Sequence, residues 1–422
     1  MSSPPSPSTT LKVSSSTVDL RSTSQKVWHQ PFPIGSNLPS PITDCLLSLH
    51  TLHASLQKTG DSLSGIHWSD CDSSGFNESH VLSLAPLSTH LTSLSLLQTS
   101  LPPSTLSPLL IASLGYATLL NLNLNLSCEN INGLLGTVSA CCYNLETFSL
   151  INSSRNEWNV NDSDLRLFSI SLLNLRVLEL NGITFNVYNI EEEEKSSPTD
   201  LVFKLKGLKI TNCVGVGEDV FRLFTESGSL LHFEFIYLLE FANEEEGMNL
   251  KASEIIQILG ERNEKLSSLF LDGTGVRDYD VKCCFEYFKG LRRLGVGDNN
   301  LRVGGKGFEG GGELEGLWIN NRYGGEEENE EMEEVEIDSS VLKYCGNLKE
   351  MGILGLEEFD LKDFMGLQFL EEVVVEDCGG FNDPQEVCRL CRENINLVIR
   401  NGDRQVGFGG RFFDCEKDEE ED

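Results

Sequence analysis

The sequence predicts an α/β solenoid, in which each turn of the chain adds one short parallel strand and one helix. Three observations predict this fold: a short leucine phrase recurs along the chain, its copies are evenly spaced, and helical patterns lie between them. In each phrase a Leu is followed by two variable residues, an apolar residue, one variable residue and a second apolar residue. The segment 205–210, Leu-Lys-Gly-Leu-Lys-Ile, is one copy.

Spacing distinguishes these phrases from chance, because single matches are common in a chain this rich in leucine. Successive copies begin 22 to 36 residues apart, without clusters or gaps, and this lies within or near the period of a strand-and-helix repeat. The copies open at Leu63, Leu91, Leu119, Leu145, Leu175, Leu205, Leu230, Leu266, Leu291, Leu314, Leu348 and Leu370, with a degenerate copy near Ile395.

Helices are predicted between the phrases. Residues 218–226 and 252–259, for example, place apolar residues at intervals of three and four. The opening Leu and the two apolar positions of each phrase point inward, where stacked repeats bury a layer that no single repeat can cover. Because helices are wider than strands, we expect a horseshoe with the parallel sheet on its concave side and the helices on its convex side.

The repeats are predicted to occupy residues 37–400, in about 12 to 13 copies. Residues 1–36 are rich in Ser, Pro and Thr and predict a disordered tail, and residues 401–422 predict an acidic tail. Acidic inserts that fit loops between repeats lie near residues 190–199, 241–250 and 321–338.

Several phrases have a cysteine or a small polar residue in the ninth position, namely Cys71, Cys213, Cys378, Asn299 and Thr274. With this feature the chain resembles, over roughly residues 60–400, the cysteine-containing, ribonuclease-inhibitor-like leucine-rich repeats, especially those of F-box/LRR substrate receptors of ubiquitin ligases. The resemblance implies an α/β horseshoe and a ubiquitin-ligase adaptor role. A clear F-box is missing, because only about twenty residues separate the segment 38–42, which resembles the opening of an F-box, from Leu63; the segment 45–56 predicts a capping helix instead.

Charge and cysteine content narrow the partners and the compartment. The net charge is −33; residues 1–185 hold 12 acidic against 7 basic residues, so −5 lies there and −28 in the remainder. Such a field repels nucleic acid and anionic membranes and attracts basic proteins, and no apolar run is long enough to span a membrane. Thirteen scattered cysteines without a signal peptide predict a cytoplasmic or nuclear protein, with an organellar transit peptide as the alternative for the Ser/Thr-rich N-terminus.

The variable positions of the phrases predict the binding face. The residue between the two apolar positions, and the one two further on, point away from the core along the concave sheet. Phe270 and Trp318 are the expected anchors, because exposed aromatic residues dominate many interfaces, unless a flanking loop or the C-terminal tail covers them. The predicted partner-binding residues are Glu179, Lys209, Glu234, Phe270, Asp272, Arg292, Trp318 and Asn320.

No enzyme, cofactor or metal site is predicted. Cys388 and Cys391 form a C-x-x-C pair without the second pair that zinc needs. The segment 304–307, Gly-Gly-Lys-Gly, lacks the Ser or Thr of a phosphate loop and predicts a flexible loop. No ordered set of Ser, His and acid supplies a nucleophile and its base.

The sequence therefore predicts a non-catalytic protein-interaction scaffold, of the kind found in ubiquitin-ligase substrate recognition. Two alternatives stay open. A leucine-rich array followed by acidic sequence also resembles Ran GTPase-activating proteins, which would make the chain a regulator of a small GTPase. Only the segment 299–301, Asn-Asn-Leu, matches their repeat, and no counterpart of their catalytic Arg presents itself early in the array. The charge asymmetry alone is compatible with an acidic chaperone of basic proteins.

Overall fold

The structure is a computed structural model of the chain. It describes residues 8–14, 17–23, 65–69, 91–99, 104–107, 110, 119–131, 133–154, 156–186, 203–237, 250–298, 301, 303–321, 339–355, 364, 367–376 and 396–400. The chain forms two compact units, Met1–Glu226 and Ser227–Asp422.

In the first unit, one strand from each repeat pairs in parallel with the strand of the next repeat. The strands of this ladder are β2 (Thr17–Thr23), β3 (Gly65–Ser69), β4 (Ser93–Thr99), β5 (Asn121–Leu126), β6 (Thr147–Asn152), β8 (Val177–Asn181) and β10 (Gly207–Thr211). A separate two-stranded parallel sheet is formed by β7 (Trp158–Asn161) and β9 (Ile183–Asn186). Its helices include α1 (Leu134–Cys141), α2 (Asp162–Ser171) and α3 (Glu218–Thr225).

The second unit repeats this plan with a fully parallel ladder in chain order. Its strands are β11 (His232–Ile236), β12 (Ser268–Asp272), β13 (Arg293–Asp298), β14 (Gly316–Asn321), β15 (Glu350–Leu354), β16 (Glu372–Glu376) and β17 (Asn396–Arg400). Two α-helices, α4 (Ala252–Arg262) and α5 (Asp278–Tyr287), precede β12 and β13. The following repeats use short 3-10 segments instead, at Gly305–Phe308, Gly311–Glu313 and Ser339–Tyr344.

The leucine phrases build the core. In every copy from Leu91 to Leu370, the opening Leu and both apolar positions are buried. Helix residues complete the layer: in the first unit the ring of Phe148 on β6 lies 5.3 Å from that of Phe168 on α2, and Phe203 links Phe168 to Phe224 on α3. Each sheet therefore has one face packed on the core and one face that carries the variable positions. The predicted α/β leucine-rich-repeat fold is confirmed, as are helices at residues 218–226 and 252–259.

Two segments of the predicted disordered tail have strand backbone. Strand β1 (Ser8–Ser14) pairs antiparallel with β2, and β2 pairs in parallel with β3. The physical reason is an alternation that composition conceals: Leu11, Val13, Val18 and Leu20 are separated by polar residues, and this period of two favours a strand. The acidic tail and nearly all of the three acidic inserts lie outside the described residues.

The glycine-rich segment 304–307 also differs from its prediction, since it belongs to a 3-10 turn rather than a flexible loop. Gly304 N donates to Asp278 Oδ1 at 2.7 Å, and a side chain on Gly305 would collide with Ser340. The Asp278 carboxylate thus accepts a hydrogen bond from the backbone N–H group that a phosphate loop would offer to an anion. In the part of the chain that the structure describes, no helix has the length and apolar character needed to cross a bilayer.

Candidate functional site

The strand registers align the predicted surface positions into rows. In the second unit, Glu234 on β11 lies beside Phe270 on β12, followed by Gly295, Trp318 and Gly352 on the next three strands. Two residues further along each strand, Asp272, Gly297 and Asn320 form a parallel row. We call the sheet face with these rows the open face of the second unit.

Two aromatic rings meet on the open face although their strands are not adjacent. Phe270 and Trp318 are each half-buried, and their ring centroids lie 5.1 Å apart at an interplanar angle of 47°. Strand β13 runs between their strands and contributes Gly295 at this row. The rings can approach each other because the residue between them has no side chain.

Three glycines fix where these rings lie. A Cβ atom on Gly295 would stand 2.2 Å from Phe270 Cδ1, and one on Gly352 would stand 2.3 Å from Trp318 Cδ1. A Cβ on Gly316 would meet Trp318 Cη2 and Cζ3 at 2.6 Å. None of the three glycines has a positive φ, so the reason for glycine here is space and not backbone conformation. We call Phe270, Trp318 and these three glycines the aromatic platform.

The parallel row uses a glycine in the same way. Asn320 Nδ2 donates to Asp272 Oδ2 at 2.7 Å, across the strand that contributes Gly297. A Cβ on Gly297 would stand 2.6 Å from Asp272 Cγ. The predicted residues Asp272 and Asn320 are therefore a bonded pair next to the platform, and Asp272 is buried.

Carboxylates outnumber cations around the platform. Glu234 lies beside Phe270, and its Oε2 is 3.8 Å from His232 Nε2. Arg293 Nη2 binds Glu350 Oε1 at 3.2 Å, over Gly316. A third outward row lies two residues before the first one on each strand and runs from His232 to Glu372. Among the described side chains of the three outward rows of β11 to β16 there are four acidic residues and one Lys or Arg. The acidic residues are Glu234, Asp272, Glu350 and Glu372, and the basic one is Arg293.

Arg292 lies outside these rows. It precedes β13 by one residue, and its Nη1 binds Glu315 Oε1 at 2.5 Å. Lys349 Nζ binds the other oxygen of Glu315 at 2.9 Å. Hydrogen bonds from Lys349 and Arg292 hold the pKa of Glu315 below its usual value. The phrase position of Arg292 falls in the turn before the strand, so its guanidinium sits at the strand-start edge of the face.

The remaining two predicted residues belong to the first unit. Glu179 and Lys209 are cross-strand neighbours on β8 and β10, with Lys209 Nζ 3.8 Å from Glu179 Oε1. Ser149 on β6 donates its hydroxyl to Glu179 Oε2 at 2.7 Å. One row of this ladder therefore holds four polar residues side by side, namely Asn123, Ser149, Glu179 and Lys209.

Sequence reasoning missed the role of the glycines and of His232. Gly295 and Gly352 occupy the same phrase position as Phe270 and Trp318, so an alignment of the phrases contained the signal. His232, whose ring centroid lies 5.9 Å from that of Phe270, stands two residues before Glu234 and extends the aromatic surface toward β11.

The described cysteines are buried. Burial raises the pKa of Cys142, Cys213 and Cys345 to about 12, so these thiols stay neutral at physiological pH and are poor nucleophiles and metal ligands. Cys213, in the ninth phrase position, donates to Thr211 O at 3.3 Å and to Leu180 O at 3.6 Å in the preceding repeat. Thr274 is buried as well.

Metal binding by Cys388 and Cys391 stays untested, because these residues lie outside the described ones, as do Cys71, Cys378 and Asn299. Among the residues that the structure does describe, no three potential metal ligands cluster.

No protein-family model matches the chain, and no curated protein matches it. Solved structures that it resembles include an internalin from Listeria monocytogenes, at 15% identity and a TM-score of 0.40, with 87% of this chain and 94% of that one covered. Rad7, solved in complex with Elc1 in yeast, has 12% identity and a TM-score of 0.43, with 90% and 97% covered. TLR13, solved in complex with ssRNA13, has 15% identity and a TM-score of 0.37, with 70% and 47% covered.

These likenesses are too distant to assign a function, whereas the class of the fold follows from the chain itself. A leucine phrase recurs at the repeat period, each described copy supplies one strand to a parallel ladder within its unit, and its three apolar positions are buried from Leu91 to Leu370. The chain therefore has a leucine-rich-repeat fold.

Proposed function

We propose that this protein is a non-catalytic interaction scaffold that binds a partner protein on the open face of its second unit. The aromatic platform carries the proposal. Large aromatic side chains that are half-buried and held flat on a rigid sheet are preferred contact residues in protein interfaces. The sheet holds them before binding, so little side-chain entropy is lost when a partner docks.

The three glycines favour binding over a purely structural role. A core packing role would bury the rings, yet both are half-buried on the face opposite the core. A solvent-exposed surface without function would not require three separate strand positions to lack a side chain, since glycine weakens a strand. Glycines at positions 295, 316 and 352 are explained if function requires both rings to lie close to the sheet and to expose their faces to a partner.

The polar groups near the platform support a non-catalytic role. Ser268 is the cross-strand neighbour of His232, but its hydroxyl is buried and has no hydrogen-bond partner among the described residues. His232 is therefore not positioned to activate it as a nucleophile. Asp272 is bonded to Asn320, which suits a structural or recognition role.

The ubiquitin-ligase role implied by the sequence resemblance is a narrower form of this proposal, in which the partner is a ligase adaptor or a substrate. Its test is co-purification of the full chain with a cullin adaptor. Failure to co-purify removes the ligase role and leaves the scaffold proposal in place, because the open face can serve another protein.

The scaffold proposal is tested by comparing the proteins that the full chain captures from its native cell extract with those captured by Gly352→Ala. This substitution keeps every charge and every aromatic residue, but the new methyl group would stand 2.3 Å from Trp318 Cδ1 and must push the ring off the sheet. We expect at least one specific partner to be lost or reduced about tenfold, the equivalent of roughly 1.4 kcal/mol.

Gly207→Ala is the matched control, because a methyl group there meets only the Val177 methyls at an ordinary 3.6 Å. It should capture the same proteins as the wild type, and circular dichroism should show that both variants fold. The proposal is wrong if all specific partners bind Gly352→Ala and Trp318→Ala as well as they bind the wild-type chain.

A further inference from the structure

We infer that the aromatic platform receives an arginine side chain of a basic partner protein. The inference rests on the proposed function and names the chemistry of its partner. Three observations lead to it: the shape of the platform, the charges around it, and the ion pair of Arg293, the one Lys or Arg among the described side chains of the outward rows.

The platform has the shape that a guanidinium group needs. Phe270 and Trp318 are tilted by 47° with centroids 5.1 Å apart, and the glycines beneath them keep both rings low on the sheet. Their ring faces form a shallow surface. A guanidinium group is planar and weakly hydrated, so it can stack on aromatic faces and be attracted by their quadrupoles.

The charges around the platform complement a cation. Glu234 is the cross-strand neighbour of Phe270, about 4.8 Å away at the backbone, and its side chain remains 17% exposed. Asp272 lies on the same strand as Phe270, one pleat or about 7 Å further on, and adds negative charge beside the rings. A stacked guanidinium could donate in its plane toward Glu234 while its face contacts the rings.

The described outward rows hold one arginine, and it is already paired. Arg293 binds Glu350 at 3.2 Å, and the described side chains of these rows include four acidic residues in all. A cation from outside is therefore attracted both locally and by the whole chain, at −33. The same field opposes a nucleic acid, whose bases could stack on the rings but whose phosphates would be repelled.

Lysine fits the site less well than arginine. Its ammonium group is compact and strongly hydrated, and it has no planar face to lay on a ring. We therefore expect a preference for arginine over lysine, in addition to the preference for a charged over a neutral side chain.

The test measures binding of a fluorescent Gly/Ser peptide that carries arginines to the full chain at about 0.15 M salt, where long-range attraction is screened beyond roughly 8 Å. Matched peptides carry citrulline, which has the shape of arginine without its charge, or lysine. We expect the arginine peptide to bind most tightly. Gly352→Ala and Trp318→Ala should each weaken it about fivefold to thirtyfold, which corresponds to the roughly 1–2 kcal/mol of a partly desolvated cation–π contact.

Two controls separate the site from general charge attraction. Glu234→Gln should weaken the arginine peptide, whereas Glu313→Gln, which removes one charge from an exposed residue outside the rows, should not. Gly207→Ala should bind like the wild type.

The inference is overturned if citrulline or lysine peptides bind as well as arginine, or if the platform variants leave arginine binding unchanged. It is also overturned if a single-stranded oligonucleotide binds in a platform-dependent way. In each of these cases the proposed function survives, provided that partner capture still depends on Gly352; loss of that dependence removes both.

Discussion

Two tryptophans show how differently one residue type is used in this chain. Trp158 is fully buried, and its indole Nε1 donates to Cys128 O of the preceding repeat at 3.1 Å. Trp318 is half-buried on the open face, and its neighbours at the row positions are glycines. The first is part of the core, with its polar atom satisfied, and the second presents a ring surface to solvent.

We expect Trp158→Ala to lower the free energy of unfolding by about 3–5 kcal/mol, because it leaves a cavity and an unpaired carbonyl in the core. Trp318→Ala should lower it by about 1 kcal/mol, because the ring lies on the outward face of the sheet and its removal leaves no enclosed cavity in the core. Denaturant unfolding followed by circular dichroism measures both. Equal losses for the two variants would mean that Trp318 belongs to the core.

For single residues, the sequence predicts the position of a side chain on the sheet better than it predicts the contacts of that side chain. The phrase puts Phe270 and Trp318 in the outward row, where the structure places them. It does not show that the ring of Phe270 crosses Gly295, because that contact depends on the side-chain rotamer and not on the repeat. Arg292 has the charge expected of a face residue, but it lies in the turn before β13.

At the scale of elements, the strands follow directly from the phrases, because each phrase from Leu91 to Leu370 has three buried apolar positions. Strands β7 and β9 do not follow from it. Each is only four residues long, too short for a period of two to stand out, and each gains its partner only after the repeats have stacked. Helix α2 begins at Asp162, directly after β7. The side chain of Asn161, the last residue of β7, accepts a hydrogen bond from Asp164 N at 3.0 Å.

Asn161 therefore acts as the N-cap of α2 and offers a test with an internal control. Asn161→Ala should destabilise the first unit by about 1 kcal/mol, because an end N–H group of the helix loses its acceptor. Asn161→Gly should cost only a few tenths of a kcal/mol, since glycine lets water reach the helix end. Thermal unfolding compares the two; an alanine variant as stable as the glycine variant would show that the cap is unimportant.

For the molecule as a whole, charge opposes folding. A net charge of −33 repels itself in the compact state. Exposed ion pairs such as Arg292–Glu315 and Arg293–Glu350 contribute little in return, because water and salt screen them. Salt weakens both effects, and the repulsion extends over many more charges.

We therefore expect sodium chloride to stabilise the protein. Raising its concentration from about 0.02 M to about 0.2 M shortens the screening length to below roughly 10 Å, and the unfolding temperature should rise by about 2–4 °C, the shift that corresponds to about 1 kcal/mol in units of this size. The measurement is thermal unfolding at constant pH. A fall in unfolding temperature would mean that the ion pairs outweigh the repulsion.

The order of strands within each ladder could be predicted from the sequence, because every repeat packs on its sequence neighbours. The partner could not, since recognition depends on which side chains the register brings together. Gly295, for instance, matters for the site only because Phe270 and Trp318 lie on the strands on either side of it.

The ladder also favours one backbone form in a bound ligand. Parallel strands repeat about every 4.8 Å, whereas side chains on one side of an extended peptide recur about every 6.7 Å and fall out of step with them at once. Successive turns of an α-helix recur about every 5.4 Å and would slip by only about 0.6 Å per strand. A helical segment laid across β11 to β15 could thus offer one turn to each strand in succession, with its arginine brought over Phe270 and Trp318.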